Sequence, residues 1–243
     1  MTSLDPPPDL AVLRRTRLAL QAVAVHVLSA ALHQRNGHIG LRASPGGPAT
    51  PVLDPTGGWQ RLRIDGTDLV VETGTGTRRA PLTTIRAAAD LVGVAPGAPT
   101  DVYTPATALD LDAPLEIDPA ASRFVATWYA VVDGALAQLA ADAATDGDTA
   151  AEVQLWPEHF DLATSVGECN YGGSPGDDAH ELPYLYVGPW TLPPPAGSYW
   201  NEPFGASLDA SAVRDVDDAA SFFREGRAQM RSSDPPSNKG RMP

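Results

Sequence analysis

Cysteine, lysine and long apolar runs are scarce in this sequence. A single cysteine, Cys169, excludes a disulfide within the chain and supplies no set of thiolates for a metal. Seventeen Lys and Arg residues stand against thirty Asp and Glu residues, which gives a formal net charge of −13. A surface with that charge repels nucleic acids and anionic membranes. We therefore expect a cytoplasmic protein that has neither a nucleic acid nor a membrane as its partner.

The lack of an uninterrupted apolar run bears on export. The apolar segment from Leu18 to Leu32 follows three arginines, as in a secretory or twin-arginine signal. Gln21, His26 and Ser29 interrupt it, it is too short to span a membrane, and it lacks a convincing cleavage site. We interpret it as a core helix. His26 is interpreted as a packed or half-exposed side chain, because no second metal ligand lies at helical spacing from it.

Apolar spacing and capping residues predict four helices. One long helix runs from about Leu10 to Arg35 with Asp9 as its cap, and a second begins at Asp118-Pro119. Two shorter helices are predicted at Thr83–Val92 and Val216–Met230. The second long helix carries an apolar stripe at a spacing of about 3.6 residues, which we expect to pack against a sheet.

The clearest strand signal is a hairpin from Trp59 to Glu72. Asp65-Gly66 separates two β-rich runs, and this dipeptide favours a tight turn between antiparallel strands. Gly74-Thr75-Gly76 looks like half of a nucleotide-binding motif, but no third glycine opens a helix behind it and no P-loop lysine follows. We interpret that segment as the end of another hairpin.

Together these elements predict an α+β fold, a mainly antiparallel sheet packed by two long helices and two shorter ones. Residues 10–231 are expected to form a single integrated domain, with a flexible lead at 1–9 and a disordered tail at 232–243. The halves 10–93 and 118–230 each run from a long helix through strands and a Ser-Pro-Gly turn to another helix. That order favours an internal pseudo-repeat.

The stretch from Leu155 to Trp200 differs from the Ala-rich sequence around it. It holds eight of the chain's sixteen Phe, Trp and Tyr residues, together with carboxylates and a Gly-rich segment. Large apolar side chains supply buried area in a ligand pocket, while a few polar groups fix the ligand's orientation. The candidate ligand-binding residues are His159, Asp161, Glu168, Asn170, Tyr184, Tyr186 and Trp200.

Two kinds of site are open to the polar members of this set. On a strand from His159 to Val166, His159 and Asp161 share one face, as a metal or acid-base site requires. Glu168 has the wrong parity for a third metal ligand unless a bulge intervenes, so a metal site is the weaker interpretation. Glu168 and Asn170 are better candidates for lining a cavity, or else they cap their own loop. The sequence leaves open whether a cofactor is bound.

The tyrosines allow two arrangements. Tyr184 and Tyr186 alternate with apolar residues, so both phenols face one side of a strand. Trp190, Tyr199 and Trp200 can fold over that side as a lid. Alternatively, these aromatic residues form a core cluster with satisfied hydroxyl groups.

A loop of moderate length joins the strand that ends near Glu168 to the strand that holds Tyr184. We expect these strands to pair as antiparallel neighbours with their polar ends close together. Gly172-Gly173 lets the loop bend away from the opening. These expectations place Glu168, Asn170 and Tyr184 around one cavity, with Trp200 near its rim.

The amino acids at 172–176 match the GxSxG sequence pattern of serine hydrolases. A nucleophile elbow uses the backbone N–H of the residue after the serine to hold the oxyanion, and Pro175 has none. His180 lies too close in sequence to Ser174 for the usual triad order. We therefore expect Ser174 to be dispensable as a nucleophile and Pro175-Gly176 to form a type II turn.

Three phrases follow one another in this stretch: LWPEHFDLA, SPGD and PYLYVGPW. They resemble a bacterial domain family of unknown function from high-GC Gram-positive genomes, in which PxHFD, SPGD and PYxYxxPW recur in that order. The likeness spans about residues 10 to 230. It implies one integrated fold and brings no activity, cofactor or catalytic residue with it.

Two classes of function remain open. In the first, the candidate residues form a small-molecule site, for binding or for catalysis. In the second, the chain is an interaction or structural module whose aromatic stretch is core and whose acidic face meets a basic partner. The close mixture of acidic and aromatic residues favours the first class. A metal-dependent enzyme built on His159, Asp161 and Glu168 is a lesser alternative.

Overall fold

The computed structural model describes residues 3–54, 58–105 and 109–233. These residues form two antiparallel sheets of five strands each with helices packed on them, which confirms the predicted α+β fold. The predicted disordered tail falls mostly on 234–243, outside the described residues. Part of the predicted flexible lead is held in place, because the Leu4 N–H donates to the Arg214 carbonyl at 2.8 Å.

Each sheet is a meander in which every strand pairs with the next one along the chain. The first sheet consists of β1 (Arg42–Ser44), β2 (Gly47–Ala49), β3 (Arg61–Asp65), β4 (Asp68–Thr73) and β5 (Gly76–Pro81). The second consists of β6 (Gln154–Trp156), β7 (Asp161–Val166), β8 (Cys169–Ser174), β9 (Tyr184–Pro189) and β10 (Ala206–Asp209). The sheets meet at β1 and β6, where Leu41 and Leu155 exchange two backbone hydrogen bonds of 2.9 Å.

The predicted hairpin is confirmed as β3 and β4. Asp65 pairs with Asp68, so the two-residue turn is Gly66-Thr67, one position later than the sequence pattern predicts. Gly66 has a φ of 68°, and a positive φ at the first turn position suits the twist of an antiparallel hairpin. Gly74-Thr75 joins β4 to β5, as expected for a hairpin end.

The long N-terminal helix has three segments, α1 (Leu10–Val23), a π-helical stretch (Ala24–Ser29) and α2 (Ala30–Asn36). Its start is as predicted, since the Asp9 side chain accepts hydrogen bonds from two backbone N–H groups of the first turn. Gly37 ends α2 with a φ of 77°, a conformation that glycine adopts without strain.

The π-helical stretch changes which residues share a face of this helix. A π-helix takes more residues per turn than an α-helix, so it rotates the side chains that follow. His26 lies within this stretch and borders the same cavity as Arg17 and Gln21 of α1. The His26 carbonyl accepts a 3.1 Å hydrogen bond from Gly97, which ties the segment around Gly97 to the helix.

Three further helices complete the fold, α3 (Ile85–Val92), α4 (Pro119–Thr145) and α5 (Val216–Ser233). Asp118 caps α4 by accepting from the backbone of Ala120 and Ala121 at 2.9 Å each, which confirms the predicted start. α4 contacts strands of both sheets, and α1 and α5 pack beside it. Its apolar stripe therefore forms the centre of the core, where Trp128 and Tyr129 are fully buried.

By length and composition alone, α4 is apolar enough to cross a membrane, and it is the one such helix in the described part of the chain. In its most apolar window, 56% of the residues are buried inside the fold. A helix with protein on several sides is apolar around most of its circumference, so the packing of α4 on strands of both sheets and on α1 and α5 accounts for this composition.

The two halves of the chain repeat one order of elements: a long helix, a five-stranded meander and another helix. This order agrees with the predicted pseudo-repeat. The Ser-Pro-Gly turns are not equivalent within it, however. Ser44 precedes the first hairpin turn of its sheet, whereas Ser174 precedes the third. The repeat is therefore carried by topology and not by that tripeptide.

Candidate functional site

A cavity of about 600 Å³ lies between the N-terminal helix and the second sheet. We call it the main cavity. One wall comes from α1 and the π-helical stretch, and the opposite wall comes from β7, β8, β9 and their connecting loops. Tyr103 and Pro105, which follow α3 in the chain, also line it.

Asp161, the first residue of β7, is 9% exposed. The preceding Phe160 has a φ of 56°, which is rare for a residue other than glycine, and its carbonyl accepts a 2.7 Å hydrogen bond from Tyr129. Tyr186 donates its hydroxyl to Oδ2 of Asp161, whereas Oδ1 has no hydrogen-bond partner among the described residues. Burial raises the pKa of Asp161, and the hydrogen bond from Tyr186 opposes that shift.

Tyr186 reaches Asp161 across an intervening strand. β8 lies between β7 and β9, and Tyr186 of β9 pairs directly with Gly172 of β8. A Cβ atom at Gly172 would lie 2.6 Å from the Tyr186 ring and 2.8 Å from the Leu162 carbonyl oxygen. Glycine therefore makes room for the phenol. The expectation that Gly172-Gly173 bends a loop is wrong, because both residues lie inside β8.

Tyr184 and Asp177 form a second hydrogen-bonded pair in the cavity wall. The Tyr184 hydroxyl donates to Asp177 Oδ2 at 2.6 Å, and Oδ1 accepts from the backbone of Ala179 and His180 at 2.7 and 2.8 Å. Burial alone acts to raise the pKa of Asp177, but these hydrogen bonds outweigh it and hold the pKa below its ordinary value. Both oxygens of this carboxylate are thus already occupied.

Arg17 brings a cation to the main cavity, but its guanidinium group is engaged. The residue is 5% exposed, and its Nη1 donates to the Gly176 carbonyl. Burial lowers the pKa of Arg17, and the carboxylates of Asp177 and Asp178 oppose that shift. Asp178 also lies 3.3 Å from Arg14. Arg17 therefore fastens the turn after β8 to α1 and balances part of the acidic charge.

Three more buried polar atoms lack partners within the described ranges and belong to residues that border the main cavity: His26 Nδ1, Tyr103 Oη and Glu158 Oε2. Burial lowers the pKa of His26, so the neutral imidazole is favoured. Gln21 fixes the Glu158 segment by donating from Nε2 to the Glu158 carbonyl at 2.8 Å. The wall of the main cavity therefore contains polar groups that have no partner of their own among the described residues.

A smaller groove of about 400 Å³ adjoins the main cavity. The two spaces share the wall formed by Glu158, His159, Asp161 and Tyr186. Trp156 and Asn170 border the groove and not the main cavity. The Asp161–Tyr186 pair thus stands between two concave surfaces.

Four of the seven predicted ligand-binding residues border the main cavity: His159, Asp161, Tyr184 and Tyr186. His159 does so from the turn before β7 and not from the strand on which the sequence pattern placed it. Asn170 lines the adjoining groove, and its Oδ1 accepts from Ser165 Oγ and Trp190 Nε1 at 2.8 Å each.

The expected grouping of Glu168, Asn170 and Tyr184 around one cavity is wrong. Glu168 lies in the turn between β7 and β8, whereas Tyr184 pairs with Ser174 at the other end of β8. A six-residue strand separates these ends by roughly 17 Å. Trp200 lies outside both concave surfaces and packs edge-on against Tyr199, with ring centroids 5.0 Å apart.

The sequence patterns do not predict the helix side of the cavity. They mark Gln21 only as an interruption of an apolar run and His26 as a packed or half-exposed side chain, yet Arg17, Gln21 and His26 all border the main cavity. Their signal is the set of polar interruptions in an apolar helix. Leu18, Ala22 and His26 line the cavity at four-residue spacing, as do Arg17, Gln21 and Val25, so both rows share one broad face of the helix.

Ser174 borders the main cavity at the end of β8. Its Oγ lies 3.2 Å from both the N–H and the carbonyl oxygen of Gly176, so it is engaged within its own turn. Gly176 has a φ of 101°, as the third position of the predicted type II turn requires. The dispensability of Ser174 as a nucleophile stays a prediction.

No group of three or more His, Cys, Asp or Glu residues in the described ranges is arranged to hold a metal ion. No family model matches the chain, and no match was found among curated proteins or solved structures. The family resemblance drawn from the three sequence phrases therefore stays a prediction.

Proposed function

We propose that this protein binds a small organic molecule in the main cavity. The volume of about 600 Å³ falls within the roughly 300–1,000 Å³ of small-molecule sites. Its wall combines apolar and aromatic side chains, such as Leu18, Val25 and Phe204, with a few polar groups. Apolar area of this kind supplies affinity, and the polar groups select and orient the ligand.

One observation carries the proposal. Buried polar atoms in folded proteins are hydrogen-bonded in about nine cases of ten. His26 Nδ1, Glu158 Oε2 and Asp161 Oδ1 have no partner in the described part of the chain, and all three residues border this one cavity. A ligand with matching polar groups would satisfy them together. Polar groups held ready for a ligand are typical of binding sites.

A cavity-filling substitution tests the proposal. Ala22→Phe places a phenyl ring where the side chain of Ala22 borders the main cavity, so it should abolish ligand binding and leave the fold intact. A metabolite library is screened by thermal shift, and we expect at least one compound to stabilise the wild type but not Ala22→Phe. Ala11→Phe is the matched control, because Ala11 is an exposed residue of the same helix.

Two outcomes of this screen contradict the proposal. One is a library that stabilises neither protein, and the other is a compound that stabilises Ala22→Phe as much as the wild type. The Ala11→Phe control should respond like the wild type, which separates occlusion of the cavity from a general effect of an added phenyl ring. Circular dichroism of all three proteins verifies that each is folded.

A surface feature supports the alternative, a protein-interaction module. Trp190 and Leu192 each expose 59% of their surface on the loop after β9. Large exposed apolar side chains occur at protein interfaces. If the chain associates with itself through them, sedimentation velocity should detect an oligomer that Trp190→Ser removes.

A further inference from the structure

The charge balance of the main cavity bears on the class of its ligand. Four carboxylates line it: Glu158, Asp161, Asp177 and Asp178. Arg17 is the only Lys or Arg among its described lining residues, and its guanidinium already donates to the Gly176 carbonyl. A cavity with this excess of negative charge attracts cations and repels anions.

Two of the four carboxylates are already paired. Asp177 accepts from Tyr184 and from two backbone N–H groups, and Asp178 meets Arg14 at 3.3 Å. The other two, Glu158 and Asp161, each retain one buried oxygen without a donor among the described residues. Asp161 is nine-tenths buried, so water reaches this carboxylate poorly. A group that brings both positive charge and N–H donors fits these two oxygens.

The rest of the wall fits an apolar body. Tyr184, Tyr186 and Phe204 line the sheet side, and Leu18 and Val25 line the helix side. Aromatic faces attract cations as well as apolar groups. Building on the proposed binding function, we infer that the ligand is an organic amine, protonated at neutral pH, whose ammonium group binds Asp161 and Glu158 and whose apolar portion packs against these side chains.

The competing chemistries meet specific obstacles. A carboxylate or phosphate ligand would face four acidic side chains and a single arginine, which already donates one hydrogen bond to the Gly176 carbonyl. A neutral alcohol could donate to only one of the two free carboxylate oxygens at a time. An ammonium group has three donors and a charge opposite to the wall. A hydrogen bond between charged groups strengthens binding by about tenfold or more relative to a neutral one.

Phenylalkyl probes with one to four methylene groups test this inference by isothermal titration calorimetry at pH 7.5. Each chain length is prepared with an ammonium, a hydroxyl or a carboxylate end, so charge changes while the apolar body stays constant. We expect the best ammonium probe to bind about tenfold or more tightly than its alcohol, and the carboxylate probes to show no binding.

Isosteric variants assign the effect to the two carboxylates. Asp161→Asn and Glu158→Gln should each weaken ammonium binding by about tenfold and leave alcohol binding within about twofold. Asp133→Asn is the control, because it removes one carboxylate charge in the same way at a residue that borders a different cavity. Its affinity for every probe should equal that of the wild type.

The inference is overturned if a carboxylate probe binds as tightly as its ammonium counterpart, or if no ammonium probe binds. It is also overturned if the preference for ammonium survives in both Asp161→Asn and Glu158→Gln. A third outcome is that an alcohol probe binds, that Ala22→Phe abolishes this binding, and that no ammonium probe binds more tightly. This outcome would refute the ligand class while supporting binding in the main cavity. Failure of the library screen with Ala22→Phe would refute the binding function itself.

Discussion

At the scale of single residues, Asp161 combines burial with an unused acceptor. Its Oδ2 accepts from Tyr186, its Oδ1 has no partner among the described residues, and the residue is 9% exposed. Burying an ionised carboxylate without full hydrogen bonding costs stability. Such a cost is typical of residues retained for function and not for folding.

This cost predicts a specific dependence on pH. Burial raises the pKa of Asp161 in the folded state above that in the unfolded state, so the folded protein binds this proton more tightly. Its contribution to the free energy of unfolding therefore falls as pH rises from about 4 through the folded pKa, and the cost is fully present above it. Asp161→Asn should raise the urea midpoint at pH 7, and the gain should vanish as pH approaches about 4.

Asp218 provides a control of opposite sign for these urea titrations. Its hydrogen bond with Arg214 lowers its pKa to about 2, so this carboxylate stabilises the fold above the unfolded pKa. Asp218→Asn should cause a small loss of stability at pH 7, because the pair is exposed to solvent. That loss should disappear as pH falls from about 4 towards 2. A lower midpoint for Asp161→Asn at pH 7 would contradict the account of Asp161.

At the scale of elements, β8 determines how closely its neighbours approach. A Cβ atom at Gly173 would lie 2.5 Å from Val132 Cγ2, so α4 packs directly on the backbone of this strand. Gly172 lies beneath the ring of Tyr186 in the same way. Successive residues of a strand face opposite sides, so the two glycines serve the core and the cavity respectively.

The close approach of α4 predicts the effect of a single methyl group. Gly173→Ala should lower the free energy of unfolding by about 1–3 kcal/mol, because the added Cβ collides with Val132 and forces α4 away from β8. Urea unfolding followed by circular dichroism measures the change. In a Val132→Ala background the same substitution should cost clearly less, because the colliding methyl groups are gone.

Gly188→Ala is the control for this strand substitution. The nearest atom to a Cβ at Gly188 would be the Phe204 carbonyl oxygen at 3.8 Å, an ordinary contact distance. The free energy of unfolding should therefore change by less than about 0.5 kcal/mol. Equal costs for Gly173→Ala and Gly188→Ala would show that strand propensity, and not the approach of α4, determines the effect.

At the scale of the whole molecule, one helix joins two sheets. α4 contacts β1 and β2 of the first sheet and β7 and β8 of the second, and the Leu41–Leu155 hydrogen bonds connect the sheet edges. Neither half has another described helix that contacts both sheets to this extent. The halves therefore share one core, despite the repeated order of their elements.

A shared core predicts cooperative unfolding. Leu62 of β3 and Leu162 of β7 are fully buried on the two sheets, so Leu62→Ala and Leu162→Ala should each cost about 2–5 kcal/mol. Each substitution should shift one single transition in urea, with coincident curves from circular dichroism and tryptophan fluorescence. An early separate transition in either variant, with half of the signal retained, would show that the halves unfold independently.

Local sequence determined the elements whose stabilising groups are close along the chain. The caps at Asp9 and Asp118, the stop at Gly37 and the hairpin around Gly66 depend on hydrogen bonds or φ values set within a few residues. The apolar stripe of α4 follows from the same short-range periodicity. The fold class could be predicted from the sequence for this reason.

Only the tertiary structure decided which side chains share the cavity. Tyr186 meets Asp161 because the register of three strands places Gly172 between them. Glu168 lies away from the main cavity because it belongs to the tight turn between β7 and β8, at the other end of β8 from Ser174. His26 joins Tyr186 and Asp161 from a helix more than a hundred residues earlier in the chain. Strand register and the packing of a helix on a sheet depend on contacts between distant segments, which local residue patterns do not encode.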